Sequence, residues 1–187
     1  MMIRTFIAIE LPVKVKQVAR QIQNQLGERI DGIRWVKHEN IHLTVKFLGN
    51  MEENRINDIA AAVINAVKDI SVMNLKTGHL GIFPNENRPR ILWLGIEGDV
   101  REFIRMSKNC ESELAKLGYE KDARENKPHI TVGRIRSSKR QKGLVNILED
   151  IHIESIEFRA DALKLIRSEL NPNGAVHTNL QSFKLDK

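Results

Sequence analysis

The sequence predicts an α+β protein: two pseudo-symmetric antiparallel sheets forming two lobes, helices packed outside, and a central cleft. Three observations predict it. Apolar runs with the two-residue period of strands are interleaved with amphipathic stretches at helical spacing. The strands join through hairpins and short connections, which favour antiparallel pairing over the crossovers of a parallel sheet. One short strand is also written twice, as His42-Leu43-Thr44-Val45 and His129-Ile130-Thr131-Val132. The order strand, helix, hairpin thus recurs in the two halves.

Residues 2–11 alternate around Phe6 and Ala8, giving a strand that Pro12 ends. A helix follows over 13–26, apolar at Val15, Val18, Ile22 and Leu26, and Gly27 closes it. A short strand over 33–36 carries Arg34 and Trp35, and a turn leads into the strand over 41–49. There His42, Thr44 and Lys46 are expected on one face, with Leu43, Val45 and Phe47 on the other. A helix over 52–70 has one apolar face through Ile56, Ile59, Val63 and Val67.

Residues 72–83 read as a strand with bulges near Gly78 and Gly81. Residues 84–89 form a surface turn, 91–96 a strand around Trp93, and 100–117 a helix stopped by Gly118. The charged stretch 119–127 is a loop. Pro128 cannot donate within a ladder, so the second His-x-Thr strand starts after it. Residues 137–150 read as a basic helix, 151–168 as one long strand, 170–174 as a hairpin turn and 176–185 as the last strand. Residues 1–187 are expected to form a single domain of two intertwined lobes.

Composition narrows the function classes. The 187 residues are 41% hydrophobic and 29% charged, ordinary for a globular chain. No apolar run approaches the ~18 residues of a membrane helix, and the first ten residues lack the features of a signal peptide. Cys110 is the lone cysteine, which excludes an internal disulfide and Cys-based zinc sites and suits a reducing cytoplasm. A net charge of +6 suits an anionic ligand. A cytoplasmic monomer with no membrane partner is expected.

Each His-x-Thr pair sets an imidazole and a hydroxyl on one strand face. Two such pairs facing one cleft supply an acid and a base for a single step: one histidine takes a proton from water, and the other gives one to a leaving oxygen. An ordinary imidazole pKa near ~6.5 populates both forms around neutrality. The Thr44 and Thr131 hydroxyls can hold phosphate oxygens, and Arg134 is the candidate clamp. A straight strand would point Arg134 away from His129, so a bulge at Gly133 is needed to turn it back. Lys46, on the His42 face, adds positive potential or is a rim charge. Threonines in the companion positions are poor zinc ligands, so no metal is expected.

These residues and their flanks resemble the 2H phosphoesterase superfamily, in particular the RNA 2′,3′-cyclic phosphodiesterases, also called 2′-5′ RNA ligases. The likeness runs through Arg4–Ile9, Arg34-Trp35-Val36, Asn40–Gly49, Phe83-Pro84, Arg88–Gly95, Pro128–Arg134 and Ser168-Glu169-Leu170. It implies a bilobal antiparallel fold and hydrolysis of RNA 2′,3′-cyclic phosphate ends to 2′-phosphomonoesters, without metal or cofactor. It implies His42 as donor to the leaving 3′ oxygen and His129 as the acceptor that activates water. Thr44, Thr131 and Arg134 would hold the phosphate, and Phe6 would line the base or ribose pocket or belong to the core. The implied partners are RNA ends or nucleotides carrying a 2′,3′-cyclic phosphate, tRNA halves among them. The alternatives are 2′-5′ ligation of tRNA halves and RNA-end binding without turnover. His38, His79, His152 and His177 are expected at the surface or in structural roles.

Overall fold

A computed structural model describes all residues of the chain except 28, 31, 124, 137–142, 173 and 187. Its elements are β1 (Met2–Glu10), α1 (Val13–Leu26), β2 (Ile33–Trp35), β3 (His42–Glu52), α2 (Ile56–Val67), β4 (Met73–Phe83), β5 (Ile91–Gly98), α3 (Val100–Ala115), β6 (His129–Ile135), α4 (Leu144–Glu149), β7 (Glu157–Ala160), β8 (Ala162–Asn171) and β9 (Gly174–Lys184). Single 3₁₀ turns at His38–Asn40 and Glu53–Arg55 lead into β3 and α2.

The described strands order as β7-β4-β5-β6-β3-β1-β8-β9, with β2 also paired to β6. All the ladders between them are antiparallel. The α+β architecture of two antiparallel halves is therefore present: β3-β1-β8-β9 on one side and β7-β4-β5-β6 on the other. Among the described residues the halves meet at one ladder pair, Leu43 with Ile130.

The helices stitch across that seam. Val15, Val18, Ala19, Ile22 and Leu26 recur every three or four residues on α1, and all are buried. Their helix comes from the first half and packs against β6 of the second. In return α3, from the second half, packs against β3 and α2. One apolar core runs beneath both halves, with Ile22, Leu43, Phe103 and Ile130 fully buried in it. Each such side chain contributes roughly 1.5–3 kcal/mol. Among the described residues no helix is long and apolar enough to cross a membrane.

Two expectations change. The long strand over 151–168 is instead a loop followed by β7 and β8, which break at Asp161. The apolar spacing of Ile151, Ile153 and Ile156 comes from a segment packed on the core without a ladder. Thr77 supplies its hydrogen bonds, donating through Oγ1 to Glu154 O at 2.8 Å and accepting from Ile156 N at 2.8 Å. Of the basic helix expected over 137–150, Leu144–Glu149 is helical and carries no Lys or Arg, while residues 137–142, with Lys139, Arg140 and Lys142, lie outside the described residues.

Candidate active site

The Leu43–Ile130 pair determines how the two motifs face each other. Both side chains are fully buried, so their strand neighbours project from the opposite face. Continuing the antiparallel register by one residue sets His42 opposite Thr131 and Thr44 opposite His129. The dyads are thus crossed, with a pseudo-twofold axis through the Leu43–Ile130 pair. In a regular ladder directly opposed side chains have Cβ atoms about 5 Å apart.

Each motif strand then bulges at the same place. The β1–β3 register pairs Ile7 with Lys46 and Ala8 with Thr44, skipping Val45. The β5–β6 register pairs Leu92 with Gly133 and Trp93 with Thr131, skipping Val132. Val45 and Val132 each lie three residues after a histidine. A bulge restarts the alternation one residue late, with opposite consequences for two expectations. Arg134 is turned back to the Thr131 side, as the Gly133 reading required, and both line one cleft. Lys46 does not share the face of His42. It is 4% exposed and turned into the protein, while Phe47, expected inside, is 58% exposed and lines the cleft.

A bulge disrupts the ladder locally and opens carbonyls to other donors. At Val45 the carbonyl accepts Asn126 Nδ2 at 2.8 Å. At Val132 it accepts Gln23 Nε2 at 3.0 Å, alongside the backbone Val36 N at 3.0 Å. Neither carboxamide stands out in the sequence, because each partner lies far along the chain and no local pattern marks it. Lys46 fastens the same seam from behind. Its Nζ lies 2.9 Å from Glu111 Oε1 and 3.2 Å from Asp122 Oδ2, and it donates to Glu120 O at 2.8 Å. That segment leads into His129.

The two imidazoles are held alike. His42 Nδ1 lies 2.7 Å from Asn40 O, and His129 Nδ1 lies 2.7 Å from Lys127 O. A carbonyl only accepts, so each Nδ1 carries the proton and each Nε2 is left for proton exchange. Asn40 also donates through Nδ2 to Ala175 O at 2.7 Å, tying the β8–β9 hairpin to the first motif.

That tie brings in a residue assigned above to the surface or a structural role. His177 lines the cleft, its ring centroid 5.3 Å from His42 and 5.0 Å from Phe6. Phe6 stacks on His42 at 4.6 Å and belongs to a small buried cluster with Ala8 and Ile166. It is therefore both core and cleft wall. Burial pushes the His42 pKa down to about 4, against the Asn40 carbonyl, with His177, Lys16 and Arg134 adding to the drop. Burial also lowers His129 and His177.

His42, Thr44, Thr131, Arg134 and Phe6 line one cleft of ≈480 Å³. His129 stands outside that lining, its ring 5.1 Å from Phe83 and 6.3 Å from Trp93. The Trp93 indole lies flat over Gly81, where a Cβ would come within 2.1 Å of Cζ2. The cleft is also lined by Arg4, Arg34 and Lys37 and, among the described residues, by no carboxylate. Among the described residues no three His, Cys, Asp or Glu side chains converge into a metal-binding group.

Comparison with known proteins agrees with this internal symmetry. The family described as LigT like phosphoesterase matches twice in succession, over residues 9–93 and 94–177, one motif in each match. The chain is 33% identical over 181 residues to a Methanocaldococcus jannaschii protein named RNA 2′,3′-cyclic phosphodiesterase, covering 96% of this chain and 99% of that one. It is 33% identical to a Thermotoga maritima protein of the same name over 185 residues, covering 98% and 96%. Among solved structures, a Thermus thermophilus protein matches with a TM-score of 0.78 at 25% identity over 97% of each chain. The LigT of E. coli, solved with 3′-AMP, matches with a TM-score of 0.75 at 21% identity over the full length of both. With its motif duplicated in sequence, in strand geometry and in the family match, this chain belongs to the LigT-like phosphoesterases of the 2H superfamily.

Proposed function

We propose that this protein hydrolyses RNA 2′,3′-cyclic phosphate ends to 2′-phosphomonoesters by acid–base catalysis between His42 and His129, as a monomer and without a metal. The observation that carries the reading is the crossed pair of His-x-Thr dyads with both Nδ1 atoms tied to carbonyls. The relatives' shared name, RNA 2′,3′-cyclic phosphodiesterase, supports the same reaction.

In this reading Thr44, Thr131 and Arg134 donate to the non-bridging phosphate oxygens. Water attacks phosphorus on the side away from the 3′ oxygen. His129 Nε2 takes the proton from water as the new P–O bond forms. His42 Nε2 gives its proton to the 3′ oxygen as that P–O bond breaks. The net result is one water consumed, a free 3′ hydroxyl and a 2′-phosphate, with one proton exchanged at each histidine.

His42 must be an imidazolium to donate, yet burial holds its pKa at about 4 in the free protein. The substrate's own negative charge, placed between the imidazoles, raises it. The described side chains lining the cleft beside His42 include hydroxyls and guanidinium groups and no carboxylate, a set suited to an anion rather than a cation. Both histidines come from one chain, so a monomer is sufficient.

The test uses EDTA-treated protein and an oligoribonucleotide ending in a 2′,3′-cyclic phosphate. The expected product is the 2′-phosphate alone, and His42→Ala and His129→Ala should each lower turnover by about 10²–10⁴-fold while remaining folded. A 3′-phosphate product, or near-normal rates in either variant, would overturn the reading.

A further inference from the structure

The cleft holds more positive charge than one cyclic phosphate needs. A cyclic phosphodiester carries a single negative charge, and Arg134 is placed to meet it. Arg34 is the directly opposed partner of Arg134 in the β2–β6 ladder. Like charges directly opposite in a ladder are destabilising. Both also line the same cleft, and among the described residues no carboxylate pairs with either, nor with Lys37.

The short strand that presents Arg34 is firmly anchored. Ile33 and Trp35 close over Gly133, where a Cβ would lie 2.7 Å from Ile33 Cγ2 and 2.9 Å from Trp35 Cε3. Val36 N donates to Val132 O at 3.0 Å, and Gln23 Nε2 donates to Val36 O at 2.8 Å. Ile33 and Trp35 pack half-buried against the core, and Arg34 between them is exposed, so the anchored strand presents its charge to the cleft. It fixes one guanidinium beside another. Three residues later Lys37 lies along the β8–β9 hairpin, its Cε 3.4 Å from the position a Cβ would take on Gly174.

We propose that Arg34, with Lys37 beside it, forms a second anion subsite that takes the 5′ phosphate of the nucleotide carrying the cyclic phosphate. This rests on the proposed phosphodiesterase reading and adds a specificity to it. The cleft selects a nucleotide that is phosphorylated or chain-linked at its 5′ side over a bare nucleoside 2′,3′-cyclic phosphate.

The experiment compares two substrates, adenosine 2′,3′-cyclic phosphate and its 5′-phosphorylated form, on the wild type and on Arg34→Ala, Arg34→Lys and Arg4→Ala. The wild type should favour the 5′-phosphorylated substrate by roughly 10- to 100-fold in kcat/KM, the range of a charge-assisted contact. Arg34→Ala should erase that preference with the rate on the bare cyclic nucleoside nearly unchanged, and Arg34→Lys should restore part of it. Equal loss on both substrates would place Arg34 at the reacting phosphate and overturn the subsite. A wild type without preference would overturn it too, as would a preference erased by Arg4→Ala and not by Arg34→Ala. Binding of adenosine 2′-phosphate against adenosine 2′,5′-bisphosphate is measured in parallel. If neither cyclic substrate turns over, the reaction reading fails, while the bisphosphate preference and its loss in Arg34→Ala still decide the subsite.

Discussion

Val45 and Val132 occupy the same place in the two halves of the molecule: each is the extra residue of a bulge three positions after a motif histidine. Both bulge carbonyls are taken by a side-chain amide from another part of the chain, Asn126 at Val45 and Gln23 at Val132. The bulge reverses the facing of the residues beyond it, so the residue five after each histidine points to the cleft: Phe47 in one half and Arg134 in the other. The same backbone device thus yields an apolar wall on one side and a cation on the other.

Asn126 joins three elements at the first seam, because it also reaches Thr44 O at 3.4 Å and Ser107 Oγ at 3.3 Å. Asn126→Ala leaves the Val45 carbonyl without this donor and should cost about 1–3 kcal/mol of stability. It loosens the strand that carries Thr44 against the strand that carries His129. Turnover should therefore fall more than substrate affinity. Steady-state kinetics and urea melts check both, and a purely structural role would leave kcat unchanged in the fraction that remains folded.

Acid should destabilise the protein through the two motif histidines and His177. In the fold, His42 is lowered from 6.5 to about 4, which favours its neutral form. Its contribution is present in full above pH 6.5 and is lost as pH falls towards 4. The displacement corresponds to roughly 3 kcal/mol. His129 and His177 act in the same direction. Urea midpoints measured between about pH 7 and 4.5 should drop, and His42→Gln should flatten the drop. Equal slopes for the two proteins would remove His42 as the cause.

Much of this is legible in the sequence, and the failures share a cause. Period-two alternation locates the motif strands, and the duplicated His-x-Thr pairs mark the two halves. Alternation reports faces only while the ladder is regular. Gly133 points to the second bulge because a glycine breaks a Val/Ile run. Val45-Lys46 contains nothing that marks the first, so alternation puts Lys46 on the wrong face. His177 escapes the sequence for a different reason. Its approach to His42 depends on the curl of β8 and β9 and on the Asn40–Ala175 bond, a contact 135 residues apart in sequence.

The buried position of Lys46 has its own consequence. Its side chain is 3% exposed and Glu111 is 15% exposed, so removing one partner strands a charge in a poorly solvated place. Lys46→Met should cost about 3–5 kcal/mol. Joined with Glu111→Leu it should recover much of that loss, since apolar groups of similar volume often replace a buried pair with little penalty. A double-mutant cycle by thermal melting measures this. Additive losses would show that the two charges are not coupled.

Activity should follow the protonation of the histidine pair. In the proposed reaction the reactive form carries one proton shared between two sites, so kcat/KM against pH should be a bell whose limbs report the free enzyme. Burial holds both imidazoles below 6.5, so the alkaline limb of kcat/KM should begin below that value and fall about tenfold per pH unit beyond it. The bound phosphate favours the imidazolium, which should move the alkaline limb of kcat to higher pH than that of kcat/KM. Replacing His177 by Gln removes one neighbour that depresses His42 and should shift the free-enzyme limb upward. Profiles from about pH 4 to 9 on the cyclic-phosphate oligonucleotide check all three. A kcat/KM flat from about pH 6 to 9 would mean that the rate does not depend on a proton held between His42 and His129.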